Sequence, residues 1–253
     1  LFELIDQLSS AMDGYILIHG KNTGPRRPDC AMGVLARKLE QHSLVDYRIY
    51  PWEWNNLYFD TFESSFDQIV EARNRLLTKG ATRIHLVGHS LGGNAVLYYA
   101  SRSTAYSTLM LLAPAHNTEI PFINWLTNWS ISEARRAIKS GQGDREMPLI
   151  DFNVDRVYTY NITPHRYINF FSKEGPANMT ESALKITNRP HVYCIVPTED
   201  STQNTTVDYV WNRLQVSEQS VMVRPADTHN GAARNYHDDL VKWVDNLKST
   251  NLI

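Results

Sequence analysis

The apolar positions of this chain fall into short continuous runs, separated by longer stretches in which they recur every three or four residues. Tyr15-Ile16-Leu17-Ile18 is one such run, closed by His19-Gly20. Val45 to Tyr50, Ile84 to Val87, Thr108 to Ala113, His191 to Val196 and Ser220 to Val223 are others. Runs this short, with no polar alternation, predict strands buried on both faces. The intervening stretches predict helices. Ala31 to Gln41 puts Val34, Leu35 and Leu39 on one side, and residues 62 to 77 place Phe62, Phe66, Ile69, Val70, Arg73 and Leu77 near a 3.6-residue period. Further helices are predicted over Leu91 to Ser101, Val207 to Leu214, and about Ala233 to Leu247, whose apolar side is Tyr236, Leu240, Trp243, Val244 and Leu247.

Strands alternating with helices predict the α/β class, a mostly parallel central sheet flanked by helices. The alternation lapses between Pro114 and Arg189. A structureless loop of that length is improbable in a compact domain. The expectation is therefore an inserted, largely helical cap over residues 116–189, carried by a core built from 1–115 and 190–253. Ile120 to Leu126, Trp129 and Ile131 supply the cap with apolar surface for its own core or for a ligand. Tyr158, Tyr160, Tyr167, Phe170 and Phe171 add aromatic surface, and Trp52 and Trp54 follow a predicted strand and could edge a cleft.

Composition narrows the function classes. The formal net charge of -2 lacks the basic footprint that binding nucleic acid requires. Cys30 and Cys194 make no disulfide framework, and Cys194 sits within an apolar run as a buried small residue would. No stretch approaches the ~20 apolar residues of a membrane span. The start at Leu1 is compatible with export after signal-peptide removal or with trimming in cloning, so the compartment stays open. Asn128, Asn161, Asn178 and Asn204 begin Asn-x-Ser/Thr triplets, which matter only in a glycosylating cell. No His-Glu-x-x-His, cysteine pair or Walker-type loop is present, so no metal or cofactor is expected. The oligomeric state is not legible.

The candidate chemistry lies at Gly88-His89-Ser90-Leu91-Gly92-Gly93, where a predicted strand turns into a helix. Glycines two residues either side of Ser90 allow a very tight turn, which would lift one hydroxyl above the sheet at a helix N-terminus. Backbone N–H groups there favour developing negative charge. These residues resemble the Gly-x-Ser-x-Gly nucleophile elbow of the α/β-hydrolase superfamily. Serine at that position, where some branches carry aspartate, implies acyl transfer to water.

The resemblance also implies the chain order serine, acid, histidine. His229 follows the last predicted strand and is the candidate base; His237 lies within a helical pattern. Asp200 follows the preceding strand and is the candidate acid, with Glu199 beside it as an alternative and Asp208 and Asp227 as weaker ones. The oxyanion hole would take the backbone N–H of Leu91 and, from the loop His19-Gly20-Lys21-Asn22, that of Lys21. His19, Gly20, His89 and Trp125 are candidates for the substrate site. The implied activity is hydrolysis of a small or medium, apolar carboxylic ester through a Ser-His-Asp triad and an acyl-enzyme. Thioester or amide hydrolysis by the same triad is one alternative. A binding protein with a silent pocket is another.

Overall fold

A computed structural model describes residues 11–21, 30–47, 58, 60–153, 156–200, 203 and 205–253. Trp52, Trp54, Asn22 and Asn204 lie outside the described residues, as do positions 48–50 of the second predicted strand.

Six strands form the central sheet: β1 (Met12–Ile18), β2 (Leu44–Asp46), β3 (Ala81–His89), β4 (Thr108–Leu112), β7 (His191–Ile195) and β8 (Val221–Val223), in the order β2-β1-β3-β4-β7-β8. Every neighbouring pair is parallel. The continuous apolar runs are explained by what covers the sheet. Successive side chains alternate faces, so Ile16, Ile18, Leu109, Leu111, Val192 and Cys194 join one core cluster. Tyr15, Leu17, Met110, Leu112, Tyr193 and Ile195 join the other.

Helices α2 (Ser64–Thr78) and α3 (Leu91–Ala100) cover the first face. Helices α1 (Ala31–Leu39) and α9 (His237–Ser249) cover the second. The predicted Val207–Leu214 helix is instead a short helix α7 (Thr206–Tyr209) followed by a 3₁₀ turn over Trp211–Arg213. The predicted final helix is divided into α8 (Gly231–Arg234) and α9. At the break Asn235 turns its amide onto Asp227 Oδ2, 2.8 Å away. Cys30 caps α1, its Sγ accepting from Gly33 N, and forms no disulfide with Cys194.

The segment between β4 and β7 carries one element beyond the expected helices. It holds helices α4 (Pro121–Lys139), α5 (Pro164–Phe171) and α6 (Met179–Lys185), and also an antiparallel hairpin, β5 (Met147–Asn153) with β6 (Arg156–Ile162). The reason is a period of two that the mixed composition obscures. Leu149 and Asp151 are buried while their neighbours are more exposed, and Tyr158, Tyr160 and Ile162 alternate with exposed residues in the same way. The hairpin packs on α4, where Ser130 Oγ accepts from Ile150 N.

Candidate active site

The turn at Ser90 is as sharp as its glycines suggest. Ser90 has φ 54° and ψ −123°, a conformation that costs a non-glycine residue energy. A Cβ on Gly88 would stand 2.3 Å from the Gly92 carbonyl oxygen, so Gly88 is required for the turn to close on itself. Gly92 is required for a different reason: its Cβ would stand 2.1 Å from the carbonyl oxygen of Ile18, at the end of β1. The strained turn is held by neighbours. Ser90 N donates to Leu112 O, and the Ser90 carbonyl accepts from Gly93 N and Ala115 N.

The loops after β7 and β8 meet beside this turn. Thr198 N donates to Pro225 O and Glu199 N to Asp227 O, zipping the two loops together. Gln203 Nε2 and Thr206 Oγ1 both donate to Pro114 O, which ties the β7 loop to the end of β4. That framework places Asp200 Oδ2 2.5 Å from His229 Nδ1, with both side chains largely buried. A carboxylate can only accept, so Nδ1 carries the hydrogen and Nε2 keeps its lone pair. Glu199 is exposed, and Asp227 instead accepts from Thr228 N and Asn235 Nδ2. His89 Nε2 donates to the His229 carbonyl at 3.0 Å, and its ring lies 4.9 Å from the His229 ring. Burial, with the His229 ring beside it, pushes the His89 pKa down to about 3, so His89 is a neutral strut under the His229 loop.

Ser90 and His229 line one cavity together with Lys21 from the β1 loop, His116 and Asn117 after β4, Ile120 and Ile123 at the start of α4, and Phe152 and Phe171. No hydrogen bond joins Ser90 Oγ to His229 among the described contacts; such contacts often tighten only once substrate is bound.

No protein-family profile matches the sequence, and no curated protein sequence matches it. Solved structures do resemble the fold. An α/β hydrolase, GrgF from Penicillium sp. sh18, aligns with a TM-score of 0.67 at 14% identity, over 95% of this chain and 91% of its own. The monoacylglycerol lipase of Paleococcus ferrophilus aligns at 0.62 and 16% identity, over 92% and 95%. A soluble variant of the Saccharomyces cerevisiae monoglyceride lipase aligns at 0.62 and 12% identity, over 94% and 87%. The chain has the α/β-hydrolase fold.

Within this α/β-hydrolase framework, the other candidate residues have definite places. Gly20 passes so close to Ser90 that a Cβ there would stand 2.7 Å from Ser90 Cβ. His19 Nδ1 donates to the Gly20 carbonyl at 2.7 Å, stiffening that loop. Leu91 opens α3 directly after Ser90. Neither His19, Gly20 nor His89 is part of the cavity lining. Trp125 is farther removed: it is 74% exposed on α4, and its ring contact is with Phe122. A substrate role for Trp125 is at odds with that placement. Its position three residues after Phe122 turns it outward, whereas Ile120 and Ile123 reach the cavity. His237 is not part of the cavity lining either, and pairs with Asp238 at the start of α9.

One cluster was not anticipated. Lys21 Nζ donates to Asp151 Oδ1 at 2.7 Å, and Tyr58 Oη donates to Asp151 Oδ2 at 2.7 Å. All three residues are buried, and Lys21 Nζ lies 5.2 Å from the Phe171 ring centroid. Burial pulls the Lys21 pKa down against the pull of Asp151, and burial with Asp151 drives that of Tyr58 well up. The available signal was an aspartate at the inward position of an alternating stretch. Among the described residues, no group of three or more His, Cys, Asp or Glu side chains could hold a metal, and no helix is long and apolar enough to cross a membrane.

Proposed function

We propose that the protein is a serine hydrolase of carboxylic esters, acting through Ser90, His229 and Asp200. The observation that carries the reading is the His229–Asp200 contact at the cavity that Ser90 also lines. Asp200 orients the His229 ring by accepting from Nδ1, which leaves the Nε2 lone pair to act on Ser90, and it stabilises the imidazolium that forms as the proton moves. Ser90 Oγ attacks the ester carbonyl while His229 Nε2 takes the hydroxyl proton. The same proton passes to the leaving alcohol as the carbonyl–oxygen bond breaks, leaving an acyl-serine. Water then attacks that acyl group, His229 takes a proton from it, and the acid departs as Ser90 recovers its hydrogen.

The backbone N–H groups of Leu91 and Lys21 are the proposed donors to the oxyanion. Each such donor contributes on the order of 10²–10³ in rate. The apolar side of the cavity, Ile120, Ile123, Phe152 and Phe171, suits a small or medium acyl chain. The monoacylglycerol and monoglyceride lipases among the similar structures agree with ester chemistry. We further propose that residues 116–189 act as a cap over this cavity, since α4 and the hairpin both contribute to its wall.

The test is covalent labelling by a fluorophosphonate probe, followed by turnover of p-nitrophenyl esters of increasing chain length. The wild-type chain labels once and Ser90→Ala does not. Wild-type protein that neither labels nor turns over any ester while remaining folded would refute the hydrolase reading.

A further inference from the structure

The cavity wall is not wholly apolar, and two of its polar residues, His116 and Asn117, have no task in the steps above. His116 follows β4 with φ 71°, in the left-handed region that a side chain adopts at a cost. It is held there from two sides. Asn94 Nδ2 donates to the His116 carbonyl at 3.2 Å, and His116 Nε2 lies 2.7 Å from the Phe170 carbonyl. A carbonyl only accepts, so the ring hydrogen is on Nε2 and Nδ1 is a bare acceptor. Burial, with Lys21 nearby, keeps the imidazole well below its ordinary pKa, which maintains this neutral form.

Asn117 is 2% exposed, and its Oδ1 accepts from Glu119 N at 2.9 Å. That bond sets the amide's orientation. Asn117 Nδ2 is enclosed with no hydrogen-bond partner among the described residues. An enclosed unpaired donor is costly, and a ligand acceptor would remove that cost. Both residues line the cavity shared with Ser90, so an acceptor and an unpaired donor stand on consecutive residues beside it, the two functions that one hydroxyl group matches.

We propose that His116 and Asn117 form a subsite for a hydroxyl group of the substrate, so that the preferred esters carry a hydroxyl near the scissile bond. The inference rests on the hydrolase reading above and adds the substrate class. The hydroxyl could belong to the alcohol or to the acyl group, and two substrate pairs separate these. Monobutyrin is compared with n-propyl butyrate, and methyl 3-hydroxybutyrate with methyl butyrate, by kcat/KM on the full chain. One pair should favour its hydroxylated member by about 3- to 10-fold, the net effect of hydrogen-bonding the hydroxyl at this wall.

In His116→Phe that ratio should fall to within about twofold of one. Asn117→Asp keeps the bond to Glu119 N but removes the donor, and should lower the same ratio if His116→Phe does not fold. Equal rates within both pairs for wild-type enzyme, or a preference that survives in the folded variants, would overturn the subsite. Fluorophosphonate labelling separates the two failures. Labelled enzyme without preference removes only the subsite, while protein that neither labels nor turns over any of the four esters removes the hydrolase reading and the subsite with it.

Discussion

Lys21 and Asp151, 130 residues apart in sequence, are joined by a 2.7 Å ion pair whose side chains are 4% and 1% exposed. One residue belongs to the loop after β1 and the other to the hairpin between β4 and β7. The pair fastens the hairpin onto the loop that passes Ser90. Both Asp151 oxygens are occupied, one by Lys21 and one by Tyr58, so the carboxylate's burial is compensated.

Removing one partner leaves the other buried without compensation. Asp151→Leu should destabilise the fold by about 3 kcal/mol, measured by urea unfolding. The double variant Lys21→Met with Asp151→Leu should recover most of that loss, because it removes both charges. Its ester hydrolysis should stay low if the pair also positions the Lys21 N–H. A double variant no more stable than Asp151→Leu would show that the pair is not the source of the loss.

Substitution at Gly92 tests the packing of the turn. A methyl group there overlaps the Ile18 carbonyl oxygen, which is backbone and cannot swing aside. Gly92→Ala should lower stability by roughly 1–3 kcal/mol and abolish probe labelling at Ser90. A variant that melts and labels like wild type would mean that β1 and α3 are not this close.

The acid assignment has its own test. Asp200→Asn should reduce kcat by on the order of 10⁴, because the His229 ring loses its orienting acceptor. Glu199→Gln and Asp227→Asn should each cost less than about tenfold, since among the described residues the ring's hydrogen bond is to Asp200 and not to either of them. A larger loss at Glu199 than at Asp200 would transfer the role.

Acid stability should depend on Asp13. Its carboxylate meets Arg83 Nε at 2.6 Å, His85 Nε2 at 3.1 Å and Lys248 Nζ at 3.0 Å. Burial works to raise its pKa, and the hydrogen bonds from His85, Arg83 and Lys248 together outweigh it, holding the group well below the ordinary 3.8. The folded state therefore binds this proton less tightly than the unfolded chain. The contribution to stability is complete above the unfolded pKa and is lost as pH falls below it. Asp13→Asn should be less stable than wild type at pH 7 and should lose less on acidification below about pH 4. Urea midpoints at pH 7 and pH 3 decide it, and parallel losses in both proteins would remove Asp13 from the account.

How much of this was legible depended on distance along the chain. The elbow was readable because five consecutive residues carry its constraint: Gly88 makes room for Gly92 and Ser90 takes the strained apex. The sheet was readable because strands covered on both faces need continuous apolar runs. The hairpin was missed because its period of two includes an aspartate, Asp151, whose partners lie in other elements. The final helix was drawn through Asn235 because nothing local shows that its side chain bonds to Asp227. Trp125 looked like a cavity residue because its neighbours are apolar, yet a shift of one or two helical positions turns a side chain from cavity to solvent.

From sequence alone came the α/β class, the parallel core and the strained serine, all consequences of interactions within a few residues. Tertiary structure alone decided that His229 meets Asp200 and not Glu199, that Lys21 is tied to Asp151, and that His116 turns one ring nitrogen to Phe170. Those contacts depend on which strand ends lie side by side in the sheet, and strand order is set by the packing of the whole chain.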